Sequence, residues 1–184
     1  GTNKSVTLGT LALADNTASA SNYSLSSATL NITQRPLNLT ATKVYDGNTT
    51  FTSGTVTLSN LSGGQTINTS GSITTNSANV ASYGTSDITV SSLSLADGTG
   101  AASNYTLSGG TYSASVTQKV LGLTGSRVYN ATTTASSSDL SLTGLVGSET
   151  LTLSGSGTLT SSAVGTGKTI TLNTLAISNN SGLA

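Results

Sequence analysis

An all-β chain of tandem small modules, with a β-sandwich as one arrangement, follows from three features of this 184-residue sequence. Apolar residues alternate with polar ones at a period of two in short runs, the pattern of half-buried strands. Landmarks recur at spacings of 82 and 84 residues, which marks a repeat array. No long stretch carries a 3.6-residue period. The alternative arrangement for such a repeat is a continuous β-solenoid.

The first element covers residues 1 to 13, where Val6 and Leu8 alternate, the phase slips by one residue, and Leu11 and Leu13 alternate again. The same spacing returns at Ile88, Val90, Leu93, Leu95 and at Ile170, Leu172, Leu175, Ile177, 82 residues on each time. A slip of one residue turns every later side chain to the opposite face unless the strand bulges or bends. A bulge or sheet-switching bend is therefore expected at Gly9-Thr10, Ser91-Ser92 and Asn173-Thr174. Next, Ser21-Asn22-Tyr23-Ser24-Leu25 matches Ser103-Asn104-Tyr105-Thr106-Leu107, again at 82, which places Tyr23 and Tyr105 at strand starts.

An insertion of two residues around Gly109-Gly110 then moves the offset to 84. Thr33 to Leu39 aligns with Thr117 to Leu123, and Lys43-Val44-Tyr45-Asp46-Gly47-Asn48-Thr49-Thr50 with Arg127-Val128-Tyr129-Asn130-Ala131-Thr132-Thr133-Thr134. Val56, Leu58 and Leu61 map onto Leu140, Leu142 and Leu145, and a deletion near Ile73 and Leu159 restores 82. Strands are expected around 37–44, 50–60, 65–74, 86–96 and 104–118. The segment from Asn76 to Ser82 is the one candidate helical turn, too short for an independent helix.

Three divisions result: 1–33, the C-terminal strands of a preceding repeat; 34–118, a complete module; and 119–184, a module without the counterpart of Asn104 to Thr117. Residues 22–33 are another copy of that segment. Either the boundary is arbitrary, or the amino-terminal strand of one chain completes the open module of the next by strand addition. The absence of Met leads to the expectation that the chain is an internal piece of a longer protein.

The Val-Tyr-Asp-Gly stretch, the preceding Arg35 to Lys43, the later Ser103 to Leu107 and the run Gly165-Thr166-Gly167-Lys168-Thr169-Ile170-Thr171-Leu172 together resemble the YDG-type repeats of large secreted bacterial adhesins, relatives of filamentous-haemagglutinin-like exoproteins. The resemblance covers the whole chain and implies a tandem β-rich module, of the mirror β-grasp kind, strung into a long extracellular or cell-surface stalk. The second copy departs from the pattern, with Asn130-Ala131 in place of Asp46-Gly47 and Ala135 in place of Phe51. Ala131 argues against a required glycine with positive φ, and Asn130 against a required carboxylate.

Composition narrows the chemistry. Charged residues are 7% of the chain, six of each sign, while 36 Thr and 33 Ser supply the polarity. The absence of net charge and of any basic cluster removes the electrostatic term of nucleic-acid binding, and no apolar run is long enough for a membrane-spanning helix. With no His, no Cys and Glu149 as the single Glu, no Ser-His-Asp or Cys-His set exists. Asp15, Asp46, Asp87, Asp97, Asp139 and Glu149 are scattered, and no enzyme, cofactor or metal role is assigned.

Asp97-Gly98-Thr99-Gly100, with equivalents Asp15-Asn16 and Asn179-Asn180, is the best cation loop, but an Asx-type turn is the preferred reading. Tyr45, Tyr129, Tyr23 and Tyr105 are read as packing residues ahead of sugar-stacking ones. The function expected is structural: a stalk repeat whose partners are neighbouring repeats or copies of itself. Very short joints at Gln34-Arg35-Pro36 and Gln118-Lys119-Val120 favour a rod. The alternative is a carbohydrate-binding module for surface or matrix polysaccharide.

Overall fold

A computed structural model describes residues 1–179. It divides into two compact units, one gathering residues 1–42, 50–76 and 82–115, the other 43–49, 77–81 and the described residues from 116 on. Among the described residues every element is a β-strand or a single 3₁₀ turn. The architecture is all-β in small sheets, with antiparallel pairing predominant, and the described residues do not form a continuous solenoid.

The first strands, β1 (Lys4–Val6) and β2 (Ala28–Leu30), make an antiparallel pair of their own, with Lys4 opposite Leu30 and Val6 opposite Ala28. Then follow β3 (Arg35–Pro36), β4 (Asn38–Val44), β5 (Thr50–Thr52), β6 (Val56–Ser59), β7 (Ile67–Thr75), β8 (Ala81–Tyr83), β9 (Ile88–Thr89), β10 (Leu93–Asp97), β11 (Tyr105–Thr106) and β12 (Tyr112–Thr117). One four-stranded sheet has the order β6-β4-β12-β8; the other has β10-β7-β5, with β9 also on β7. The Leu39 N–H bonds the Thr111 carbonyl and the Tyr45 N–H the Thr117 carbonyl. Residue numbers climb together, so β4 and β12 run parallel.

Alternation decides which side chains are inside. Leu37, Leu39 and Ala41 of the β4 region, Ala114 and Val116 of β12, Phe51 of β5 and Ile73 of β7 are buried, while the intervening Thr40, Thr42 and Thr117 face solvent. Tyr83, Ile88, Leu93 and Tyr105 complete this core. The expected joint at Gln34-Arg35-Pro36 belongs to the module: β3 pairs in parallel with β11, Arg35 opposite Tyr105, the Gln34 amide bonds the Ser103 carbonyl at 3.1 Å, and the Arg35 guanidinium clamps Asn60 at 2.6 and 2.8 Å.

The phase slip has a physical form. Thr74 of β7 lies opposite Thr89, and Gly71 opposite Leu93, so three steps on β7 span four on the other strand. The extra residue sits in a turn closed by the Leu93 N–H on the Val90 carbonyl at 3.0 Å, repeated from Leu11 to Leu8 at 2.8 Å and from Leu175 to Leu172 at 2.7 Å. Gly71, at φ +88°, faces this turn so closely that a Cβ would stand 2.0 Å from the Ser92 carbonyl oxygen. Gly155 repeats it, at φ +81° and 2.1 Å from the Thr174 oxygen.

The expected helical turn at Asn76 to Ser82 does not form. Asn76 is held to the sheet by its N–H on the Asp87 carbonyl and its side chain on the Asp87 carboxylate, and the Ser77 hydroxyl takes the Asn79 N–H, a local bond that competes with helix. The 3₁₀ turns lie instead at Ala20–Asn22, Ser53–Thr55, Thr85–Asp87, Ala102–Asn104 and Ser137–Asp139. The one at Ser53–Thr55 splits the expected strand 50–60 in two.

In the second unit, β13 (Gly122–Gly125) pairs with β15 (Leu140–Thr143), β14 (Thr134–Ser136) with β17 (Ser156–Leu159), β17 with β18 (Ile170–Thr171), and β16 (Leu151–Ser154) with β19 (Ala176–Asn179). The β5–β7 contact of Phe51 with Ile73 has Ala135 opposite Gly157 as its counterpart. β4 has partners on both edges, whereas among the described residues β13 has one only.

Candidate functional site

The two landmark turns share one design. Lys43 Nζ bonds Asp46 Oδ1 at 2.7 Å and the Asn48 carbonyl at 2.5 Å, and the same Oδ1 accepts the Asn48 N–H at 3.0 Å. In the second copy the Arg127 guanidinium donates to the Thr132 and Thr134 carbonyls, and Asn130 Oδ1 accepts the Thr132 N–H at 3.1 Å. A cation on the turn's carbonyls and an Asx oxygen on the N–H two residues on are common to both. Asp and Asn therefore interchange, because each offers that oxygen. Lys43, and then the Asn48 N–H, hold the Asp46 carboxyl below its usual value.

Gly47 has φ +76° and Ala131 has φ +62°. A glycine is therefore not required here. The position is left-handed in both copies, and alanine occupies it at a cost of roughly 1–2 kcal/mol.

The four tyrosines divide. Tyr105 is buried; its phenol donates to Gln65 Oε1 at 2.5 Å and accepts the Ser62 N–H at 3.2 Å. Tyr45 is half-buried, and its phenol donates to Glu149 Oε1. That bond, then burial, then the charges of Glu149 and Asp46 push its ionisation above the ordinary range. Tyr23 and Tyr129 are exposed. Glu149 is Gln65 displaced by 84 residues, and both sit at the end of a turn closed onto the residue three before, Ser62 or Val146. Position 65/149 is thus a phenol acceptor in each repeat, a role the sequence reading missed by weighing Glu149 only as a carboxylate for catalysis.

The cation-loop candidates are spent on backbone. Asp97 Oδ1 accepts the Ala102 N–H at 2.7 Å and Asp15 Oδ1 the Ala20 N–H at 2.5 Å, each tying down the 3₁₀ turn that follows. Of the third equivalent, Asn180 lies outside the described residues. Among the described residues no three of His, Cys, Asp and Glu converge as a metal site would need.

In the second unit a cavity of about 540 Å³ is lined in part by Leu123, Thr124 and Gly125 of β13. Residues 123–130 and 161–168 line it, with Ala135, Leu140, Leu159 and Ile170. In the first module the strands at the matching positions are β4 and β8, and β12 lies between them. Two large buried residues of the first module, Phe51 and Tyr83, correspond at offsets of 84 and 82 to Ala135 and Gly165. The Arg127–Asp139 ion pair, at 3.8 Å, lines the cavity, and Val128, Tyr129 and Val164, which also line it, are exposed.

A family model described as the YDG domain matches residues 31–116 and, separately, 113–182. No curated protein matches the chain, and no solved structure does.

Proposed function

The chain belongs to the YDG domain family, in two consecutive copies, and on that premise we propose that it is a structural extension repeat of a bacterial cell-surface or secreted adhesin. Its partners are neighbouring repeats and further copies of itself, and addition of a strand to an open sheet edge is the mode of association. The observation that carries this reading is the passage between repeats: β12 ends at Thr117 and β13 begins at Gly122, so only the four residues 118–121 separate one module's last strand from the next module's first. The almost uncharged, hydroxyl-rich surface offers little repulsion between copies. The test is length. Chains carrying two, four and eight repeats, viewed by electron microscopy and small-angle scattering, are expected to lengthen in proportion to repeat number. Compact particles whose maximum dimension stops growing would overturn the reading.

A second reading is favoured by one feature, the exposed Tyr129 ring, which lines the cavity with Asn130 and Arg127 and offers a stacking face and polar groups to a sugar. Glycan-array binding that disappears on Tyr129→Ala would establish a carbohydrate-binding module.

A further inference from the structure

We propose that the landmark turn of one repeat is a docking site for the repeat that follows it, and that the residue at position 47 selects the successor by the size of the side chain it faces. The inference rests on the extension-repeat reading and names how a repeat recognises its neighbour.

Sequence and contact assign this turn differently. By repeat register Lys43 to Thr49 lie in the first repeat, as Arg127 to Thr133 do in the second. By contact residues 43–49 belong to the second unit, together with the described residues from 116 on. Two contacts within that unit build the site. The Tyr45 phenol donates to Glu149 Oε1, and a Cβ on Gly47 would stand 3.0 Å from Val146 Cγ1. Val146 and Glu149 are the ends of a single turn, closed by the Glu149 N–H on the Val146 carbonyl at 3.0 Å. Tyr45, Val146 and Glu149 are each half-buried. A phenol donor and a backbone without Cβ on one turn thus meet an acceptor and an aliphatic side chain on the other. The first turn is held from its own side: Lys43 Nζ bonds Asp46 Oδ1 and the Asn48 carbonyl, and the Tyr45 N–H bonds the Thr117 carbonyl at 2.8 Å. A site ordered in advance loses little freedom when its partner docks.

The two positions in contact vary together in size. Position 47 is glycine in the first repeat and Ala131 in the second, left-handed in both. Position 146 is valine, and its equivalent 84 residues earlier is Ser62. Ala131 shows that the turn itself tolerates a Cβ. What crowds one at position 47 is the Val146 methyl, which packing at interior density leaves little room to retreat. Serine at that place has no such methyl. Glycine in the turn therefore suits a successor that carries valine, and alanine suits one that carries a smaller residue. Position 149 discriminates less, because amide and carboxylate alike accept a phenol: Gln65 takes Tyr105 as Glu149 takes Tyr45. The phenol bond supplies the attachment, and the 47/146 contact supplies the choice.

The 184-residue chain has no cysteine, so a pair introduced as Gly47→Cys and Val146→Cys reports on this site alone. With oxidised glutathione as the oxidant, the pair is expected to close within the monomer at least about tenfold faster in the native chain than in urea. Closure no faster than in urea overturns the docking site. Selection is read separately, by hydrogen exchange at the Glu149 amide of the full chain without cysteines. Gly47→Ala is expected to speed that exchange at least about fivefold. Adding Val146→Ser, so that each position carries the residue found in the other repeat, is expected to recover most of the protection. Strain of a left-handed alanine would not respond to the second change, so a double variant exchanging as fast as Gly47→Ala overturns the selection. Chains of several repeats that still lengthen in proportion after either negative result would leave the extension reading standing.

Discussion

The Tyr45 phenol donates a hydrogen bond to the Glu149 carboxylate across 104 residues of sequence, within one compact unit. It repeats, with a different tyrosine, the bond from Tyr105 to Gln65. Tyr45→Phe is expected to lower unfolding stability by about 1 kcal/mol, the worth of a half-buried bond to a charged acceptor. A double-mutant cycle with Glu149→Gln in urea should return a coupling of similar size.

The same bond sets an alkaline limit. Because the folded-state ionisation of Tyr45 is raised above 10.0, its contribution is fully present below the ordinary tyrosine value and is lost as pH rises through the raised one. Tyr45→Phe should therefore flatten the alkaline fall in stability, and ultraviolet titration of the native protein should show one phenol fewer ionising late. Tyr112, raised by burial, keeps its late ionisation in the variant.

Asp46 sets the opposite limit. Its folded-state value is lowered from 3.8, so its contribution is present above that ordinary value and is lost as pH falls through the lowered one. Asp46→Asn keeps the turn, as Asn130 does, and removes this acid dependence. The loss at neutral pH should be at most about 0.5 kcal/mol, since the carboxylate is half exposed and its ion pair is screened.

Ala131→Gly is expected to stabilise the second unit by about 0.5–1 kcal/mol, because relief of the left-handed strain outweighs the extra freedom of glycine in the unfolded chain. Calorimetry should register a higher midpoint. An unchanged or lower midpoint would mean the turn relaxes around alanine without cost.

Gly71→Ala and Gly155→Ala are expected to cost more than about 2 kcal/mol each, combining positive-φ strain with displacement of a facing carbonyl. Hydrogen exchange should locate the loss at the Val90–Leu93 turn for the first and the Leu172–Leu175 turn for the second.

Some of this was legible in the residues and some was not. The slip between Val90 and Leu93 located the bulge, because one surplus residue has to be accommodated where the apolar alternation breaks. Gly71 and Gly155 stand 84 residues apart and were readable as a pair in the same way, as were Gln65 and Glu149. The 3₁₀ turn at Ser53–Thr55 was hidden, because Ser, Gly and Thr suit a turn and a strand edge alike. The ends of the Tyr45 and Tyr105 hydrogen bonds were hidden too, since alternation tells which face a residue takes and not which loop folds over it.

The two strands that carry the ends of the first module, β4 and β12, are neighbours pointing the same way. Tension applied in opposite directions at Asn38 and Thr117 acts along their row of inter-strand hydrogen bonds, and those bonds share the load and must yield together. An antiparallel hairpin pulled at its open end would lose its bonds singly, in sequence from that end. The module is therefore arranged as a shear clamp, and resistance to traction is a mechanical property fixed by the order of its strands.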